Sequence, residues 1–120
     1  MNTDFTLFAP TDLAFEQSEI DVTNLQTSQT EDLLKLHVLD YIESYNSLVC
    51  DRTYRTLDGG ERTQTICEYR NNVVNRKYQV GNGNSEGAYP RIWSITTDTS
   101  NGNILSVDNV ILPVLPTISK

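Results

Sequence analysis

The stretch FTLFAPTDLAF, residues 5–15, holds a strand-like run, a proline and a helix start. We predict a strand over Phe5–Phe8, followed by a corner at Pro10. Thr11 is a favoured N-cap residue, and Asp12 suits the positive end of a helix. The stretch therefore predicts a strand that leads into a short helix, whose apolar anchors would be Leu13, Ala14 and Phe15.

A second, stronger helix is predicted in SQTEDLLKLHVLDYI, residues 28–42. Ser28 and Glu31 have the spacing of a capping box, and leucines follow. Beyond about Tyr45, β-branched and aromatic residues are broken by Gly and Asn, which predicts strands and turns. Residues 70–91 contain so many Asn and Gly that we expect only a short strand between loops. Helices are therefore predicted early in the chain and strands late, and no internal repeat is present.

Two hairpins are predicted from turn dipeptides. Asp58-Gly59 suits a type I′ turn, and Asn101-Gly102 is the strongest short hairpin signal in the chain. The second turn would join a strand at 92–97 to one at 104–112, which ends at Pro113 because proline cannot extend the ladder. Both hairpins imply antiparallel pairing.

Cys50 and Cys67 lie symmetrically about the Asp58-Gly59 turn. In a two-residue-loop hairpin they face each other as a non-hydrogen-bonded pair, with Cα atoms about 4.5 Å apart, which a disulfide can span. The alternative is two buried thiols, because a turn at Gly59-Gly60 would change the register, and Arg55 facing Arg62 counts against the first register. A disulfide would argue for an oxidising compartment.

Composition excludes several classes of protein. The 120 residues are 38% hydrophobic, which fits a single domain over 1–120. Sixteen acidic and nine basic residues give a net charge of −7, which opposes binding to nucleic acid or to an anionic membrane. No segment has the roughly 20 apolar residues of a transmembrane helix. Residues 1–10 lack the features of a secretion signal, so an extracellular placement requires a leader outside this sequence.

The opening stretch resembles the first signature of fasciclin-like domains, T-x-F-A-P-T-x-x-A-F, and NGNILSVDNVILP resembles the second, N-G-x-I-x-x-x-D-x-V-L-L-P. Between them, LLKLHVLDY resembles the central tyrosine-histidine region, with His37 on the histidine, and TLDGG resembles a T-L-x-G hairpin. Leu36 and Leu105 depart from the family pattern. The matched signature positions are Thr6, Phe8, Ala9, Pro10, Thr11, Ala14, Phe15, Asn101, Gly102, Asp108 and Pro113.

The resemblance implies an α+β fold in which a β-wedge or sandwich of antiparallel strands is flanked by short helices. The family usually has one or two helices before its first signature, so we expect a domain that lacks them. An apolar patch left uncovered in this way would favour self-association. The resemblance also implies that the histidine ties the helical layer to the strands, and that its region contacts integrins in animal members.

The sequence shows no motif for catalysis. There is no nucleophile elbow, phosphate loop, H-E-x-x-H or C-x-x-C, and we interpret VGNGNSEG as a loop. His37 is the only histidine, and we interpret it as a hydrogen-bonded structural residue, the alternative being a proton shuttle. Asp108 is interpreted as a structural hydrogen-bond acceptor. We expect no cofactor and no metal site.

Candidate binding residues are aromatic or cationic. Tyr78, Tyr89, Arg91 and Trp93 are close in sequence and of types that anchor interfaces, although Trp93 is expected to point into the core. His37 is a further candidate, with Tyr41 and Tyr45 one turn apart if the second helix continues.

The resulting hypothesis is a non-enzymatic extracellular adhesion module, secreted or tethered to the cell surface, that binds a cell-surface or matrix protein. One alternative is a polysaccharide-binding module of a cell wall or matrix. Another is a small-molecule-binding or weakly catalytic domain with a cleft near His37.

Overall fold

The computed structural model describes residues 4–17, 25–59, 61–99 and 101–113. Short helices alternate with strands in the first third of this chain, and strands dominate the rest, which confirms the predicted α+β class. The elements, in chain order, are β1 (Phe5–Pro10), α1 (Asp12–Glu16), α2 (Thr27–Leu36), β2 (Val38–Leu39), β3 (Thr53–Arg55), β4 (Arg62–Arg70), β5 (Val73–Val80), β6 (Arg91–Asp98) and β7 (Gly102–Val107).

All seven strands belong to one sheet, in the order β2-β1-β7-β6-β5-β4-β3. Neighbouring strands are antiparallel except β1 and β7, which are parallel from Phe5 beside Gly102 to Pro10 beside Val107. The expectation of antiparallel strands alone is therefore wrong for this pair. After β2 the chain continues at the other edge of the sheet with β3, and β3 to β7 then follow one another back across it. β7 therefore meets β1 without a turn that joins them directly.

The sheet curls until its two edges meet. The Leu57 amide, just after β3, donates to the Val38 carbonyl of β2 over 2.9 Å. Beside this bond the rings of Tyr41 and Tyr54 lie 6.5 Å apart. The curl encloses one main core, in which Phe8 of the first signature and Ile111 of the second are both fully buried. The other buried members of that core are Leu36, Leu39, Leu48, Tyr54, Ile92, Leu105 and Val107.

Helix α1 begins as predicted. The Thr11 hydroxyl accepts a hydrogen bond from the Ala14 amide over 3.1 Å, which satisfies one of the free donors at the helix start. The expected apolar anchors are correct only for Ala14, which is fully buried. Leu13 and Phe15 are 56% and 37% exposed, because a helix of five residues presents little more than one turn to the core.

Helix α2 is capped two residues earlier than predicted. Its N-cap is Gln26, whose amide donates to the Gln29 side chain over 2.9 Å, so a capping box at Ser28 and Glu31 is wrong. The helix ends at Leu36 and the chain enters β2 directly. Tyr41 and Tyr45 therefore lie on an irregular segment and not on a continued helix, although both pack against the main core.

The β3–β4 hairpin confirms the predicted register, since Arg55 faces Arg62 and Tyr54 faces Thr63. The turn itself differs, because the Thr56 amide pairs with the Glu61 carbonyl and encloses residues 57–60, which is longer than the predicted two-residue loop.

The predicted disulfide is present between Cys50 and Cys67, with Cα atoms 5.5 Å apart. Cys50 precedes β3 by a short irregular segment in which Asp51 has a φ of 69°, so the bridge is not a simple cross-strand pair.

The β6–β7 hairpin turns one residue before the predicted dipeptide. Thr99 pairs with Gly102, its amide donating to the Gly102 carbonyl over 2.7 Å, so Gly102 is already the first residue of β7. β7 ends at Val107, and the predicted continuation to residue 112 is wrong. Residues 108–113 instead form an irregular segment, whose amides bond to side chains of other elements.

The β4–β5 hairpin is longer than the short strand expected for residues 70–91. Asn71 and Asn72 have φ of 55° and 65°, which is the conformation of a type I′ turn. Residues 68–76 are all exposed, and β6 pairs with β5 only at Lys77 and Tyr78. We call residues 68–76 the hairpin arm.

Candidate functional site

The candidate binding residues fall into two groups in space. His37 is buried, and Tyr41 and Tyr45 are half-buried side chains that pack against the main core. Tyr89, Arg91 and Trp93 lie with Tyr78 on the outer side of β5 and β6 or in the loop that leads into β6. The two groups are therefore separate, and the second contains the most exposed of these side chains, Trp93.

His37 caps the end of α2 and is buried, with 3% of its surface exposed. Its Nδ1 donates to the Leu33 carbonyl over 2.7 Å, and its Nε2 accepts from the Ile111 amide over 3.0 Å. Both bonds are satisfied by the neutral ring with its proton on Nδ1. Burial lowers the pKa of His37 from 6.5 to about 4 despite the bond to Leu33, so the ring is neutral at pH 7.

Tyr41 and Tyr45 belong to a segment that the strands hold in place. The buried hydroxyl of Thr6, a signature residue, donates to the Tyr41 carbonyl and accepts from the Glu43 amide, both over 2.7 Å. Lys77 reaches the same segment, donating to the carbonyls of Tyr45 and Leu48 over 2.7 Å each, and burial lowers its pKa. The segment is thus fixed structure.

Four side chains make up what we call the aromatic face. Arg91 and Trp93 are two residues apart on β6, and the Arg91 guanidinium lies 4.6 Å from the Trp93 ring centre. Tyr78 is the cross-strand partner of Arg91, so it lies on the same side of the sheet. The rings of Tyr78 and Tyr89 meet edge to face, with centres 6.3 Å apart. Trp93 is 43% exposed, so its predicted burial is wrong.

The opposite side of β6 explains the exposure of Trp93. Ile92 is 1% exposed and belongs to the main core, while its cross-strand partner Lys77 is also buried. Since side chains alternate along a strand, burial of Ile92 puts Arg91 and Trp93 outside. The prediction that Arg91 and Trp93 lie on the opposite face of β6 from Ile92 is confirmed. The prediction that the face with Trp93 is the buried one is wrong.

A cavity of about 370 Å³ adjoins the aromatic face, and we call it the Tyr78–Tyr89 cavity. Ile66 and Tyr78, which are cross-strand partners, line it together with Tyr89 from the loop before β6. Its lining residues are Ile66, Cys67, Glu68, Tyr78, Glu86, Gly87 and Tyr89. A volume of this size lies at the lower end of the range of small-ligand pockets, which is roughly 300–1,000 Å³.

Two carboxylates give the cavity its charge. Glu68 accepts a 3.3 Å hydrogen bond from the Tyr78 hydroxyl and lies 3.8 Å from Arg76 in a solvent-exposed pair. Bonding to Tyr78 and attraction by Glu68 raise the pKa of Arg76, so this guanidinium stays charged. Glu86 is exposed, and within the described part of the chain it forms no ion pair.

The second signature positions the loop that carries Glu86 and Tyr89. Asp108 accepts from the Arg91 amide over 2.7 Å, and Asn109 donates to the Ala88 carbonyl over 3.0 Å. Asn84, in the same loop as Glu86, accepts a hydrogen bond from the Leu112 amide of the second signature over 3.0 Å. The signature therefore acts as a frame for the cavity, and Asp108 does so as a hydrogen-bond acceptor.

Sequence reasoning missed Ile66, Glu68 and Glu86. The first two become neighbours of Tyr78 only through the register of the β4–β5 hairpin. The Asn71-Asn72 pair could have signalled that hairpin, because asparagine tolerates positive φ better than most residues. Glu86 lies in a glycine-rich loop and carries no signal of its own.

A cleft near His37 stays a prediction; the His37 ring is buried, and both of its nitrogens are already bonded. Over residues 4–17, 25–59, 61–99 and 101–113, no cluster of three or more His, Cys, Asp or Glu side chains could hold a metal ion. No helix in those same ranges is long and apolar enough to cross a membrane.

Comparison with known proteins agrees with the signatures. Similar solved structures include the FAS1 domain pair from the insect cell adhesion molecule fasciclin I, with a TM-score of 0.67 and 14% identity. That likeness covers 92% of this chain and 37% of the other, so it concerns the fold. No curated protein matches the chain significantly. A family model described as the fasciclin domain matches residues 1–113, and the chain therefore belongs to the fasciclin domain family.

Proposed function

We propose that this chain is a non-enzymatic extracellular adhesion module that binds a cell-surface or matrix protein through its aromatic face. The family is one of adhesion-type modules, and the Cys50–Cys67 disulfide is consistent with an oxidising compartment. Self-association stays a prediction.

The observation that carries the proposal is the exposed Trp93 with Arg91 stacked on it, beside Tyr78 and Tyr89. Trp, Tyr and Arg are the residue types most enriched among the side chains that dominate binding energy at interfaces. Here they lie on or beside a paired strand, so little conformational freedom is lost when a partner binds.

A cell-attachment assay on surfaces coated with the protein tests this proposal. Trp93→Ala is expected to raise the coating density needed for half-maximal attachment by at least about tenfold, as for a residue that dominates an interface. Tyr69→Ala is the matched control, because Tyr69 is an exposed aromatic residue on the hairpin arm. Equal attachment to all three proteins, or no attachment to the unmodified protein on a broad panel of cells and matrix components, would contradict the proposal.

The second candidate is a polysaccharide-binding module. It is favoured by the Tyr78–Tyr89 cavity, whose volume of about 370 Å³ could receive one sugar unit between aromatic rings. Binding on a glycan array that disappears in both Trp93→Ala and Tyr89→Ala, with no attachment of cells, would favour this function over the first.

A further inference from the structure

We propose that the Tyr78–Tyr89 cavity receives the charged end of a basic side chain, lysine or arginine, from the partner protein. The inference rests on the proposed function, because it names the chemistry of the residue that the partner contributes. It specifies one position on the proposed binding surface and the kind of partner side chain that would occupy it.

The cavity has the size and shape for one side chain. Its volume of about 370 Å³ exceeds that of a single lysine or arginine side chain, and its lining residue Tyr78 is the cross-strand partner of Arg91, on the same side of the sheet. Ile66 in the lining offers an apolar surface to the methylene part of such a side chain.

The rings favour a cation. Tyr78 and Tyr89 lie edge to face, at an interplanar angle of 64°, so two ring surfaces of different orientation border the same space. The electron-rich face of an aromatic ring attracts an ammonium or guanidinium group, by about 0.5–1 kcal/mol at an exposed site.

The charges favour the same ligand. Glu68 and Glu86 line the cavity, and Glu86 forms no ion pair within the described residues. Two neighbouring cations do not line the cavity: Arg91 lies over Trp93, and Arg76 forms an exposed pair with the lining residue Glu68. A cation from a partner would therefore meet the carboxylate of Glu86, which has no counterion among the described residues, and that of Glu68, whose pair with Arg76 is exposed and 3.8 Å long.

The test uses small probes, because a chain of net charge −7 attracts polycations without specificity. Acetylated and amidated pentapeptides, Gly-Gly-X-Gly-Gly with X as lysine, arginine or norleucine, and the neutral disaccharide cellobiose are titrated into isotope-labelled protein. Backbone amide shifts are followed by NMR. We expect saturable shifts at Tyr78 and at residues 86–89, with the basic peptides binding about fivefold more tightly than the norleucine peptide.

Matched variants separate the two contributions. Glu86→Gln is expected to weaken the lysine peptide about threefold, the effect of an exposed ion pair, and Tyr89→Leu by about fivefold. The controls are Glu61→Gln, which removes the same charge beyond the far end of β4, roughly 20 Å away along the strand, and Tyr69→Leu on the hairpin arm. Both should bind as the unmodified protein does. Retained dispersion of the amide spectrum confirms that each variant is folded.

Several outcomes would overturn the inference. These are norleucine peptide binding as tight as lysine, shifts caused only by cellobiose, loss of binding in Glu61→Gln equal to that in Glu86→Gln, and absence of any saturable shift. The attachment assay is independent of these titrations. If Trp93→Ala abolishes attachment while Glu86→Gln and the basic peptides have no effect, the proposed function stands and the basic side chain is wrong.

Discussion

His37 joins two parts of the molecule that are 74 positions apart in sequence. Its ring receives the Ile111 amide on one nitrogen and donates to Leu33 with the other, so the end of α2 and the second signature share one side chain. A protonated ring would lose the acceptor for Ile111 and leave that buried amide without a partner. The imidazole of His37 can therefore make both hydrogen bonds only while it is neutral.

Acid should weaken the fold through His37. The pKa of His37 is about 4 when folded and 6.5 when unfolded, so between these values the unfolded chain takes up a proton that the folded chain refuses. The contribution of neutral His37 to the free energy of unfolding should therefore be complete above pH 6.5. It should fall by about 3 kcal/mol as the pH is lowered to 4.

Urea unfolding of the protein and of His37→Gln between pH 7.5 and 4 measures this effect. The variant should be less stable at neutral pH but lose less stability on acidification, since it keeps only the carboxylate contributions. Parallel curves for the two proteins would contradict a titrating role for His37.

Gly102 should tolerate no side chain. A Cβ atom built on it would lie 2.0 Å from the carbonyl oxygen of Phe5, because β1 and β7 approach closely there. We expect Gly102→Ala to lower the free energy of unfolding by about 3 kcal/mol, the upper range for forced overpacking. Gly59→Ala is the control: its Cβ meets nothing within 4 Å, and only the φ of 39° opposes it, at about 1 kcal/mol. Chemical denaturation should rank the two variants, and an equal cost would be inconsistent with the contact to Phe5.

Single residues were predictable where one local rule decided them. Thr11 caps α1 because its hydroxyl can accept a hydrogen bond from a free amide of the first turn, which is a local preference. The prediction for Trp93 was wrong because the alternation of side chains along a strand defines two faces without saying which one is buried. In this strand the buried face is the one that carries Ile92. The partner of Gly102 lies on a strand that no local pattern connects to it.

The hairpins show the same limit among elements. The register of β3 and β4 was correct because symmetry about residues 58 and 59 survives the longer turn. The turn after β6 was displaced by one residue, since the Asn101-Gly102 pattern could not reveal that Gly102 was required by Phe5. Asn71-Asn72 formed the type I′ turn that the stronger dipeptides did not, and with it came part of the lining of the candidate site.

The disulfide should contribute much of the stability of the β3–β4 unit. It closes a loop of sequence separation 17, for which the loss of unfolded-chain entropy amounts to about 3 kcal/mol. We expect the double variant Cys50→Ala and Cys67→Ala to unfold at a urea concentration lower by the equivalent of about 3 kcal/mol. The unmodified protein in reductant should match it. A midpoint unchanged by reductant would show that the bridge adds nothing to stability.

The molecule as a whole is built from contacts between distant parts of the chain. The β1–β7 pair and the closure of Leu57 on Val38 both join segments that no turn connects. The pattern of residues predicted early helices and late strands, and the resemblance to fasciclin-like domains implied the α+β class. The strand order was not accessible, because a short strand without a local pairing partner gives no sign of its neighbours. The two signatures located the shared core, since Phe8 and Ile111 do pack in one cluster.

Protection from hydrogen exchange should be unequal across the molecule. The hairpin arm is exposed and has no third strand, whereas β1 and β7 pair over six residues beside the main core. Amides of residues 70–76 should exchange at least about a hundredfold faster than those of Leu7 and Ile104, because they open without global unfolding. Exchange measured residue by residue by NMR provides the test. Equal protection in both regions would mean that the arm opens only when the whole domain unfolds.

The parallel pairing of β1 and β7 has a mechanical consequence. Tension applied through the chain before Phe5 and after Val107 would pull these neighbouring strands past one another along their length. Such a load acts in shear on the whole row of backbone hydrogen bonds at once, whereas antiparallel strands pulled from their open ends separate one bond at a time. The domain would thus resist extension best when it is pulled through the two ends of this strand pair.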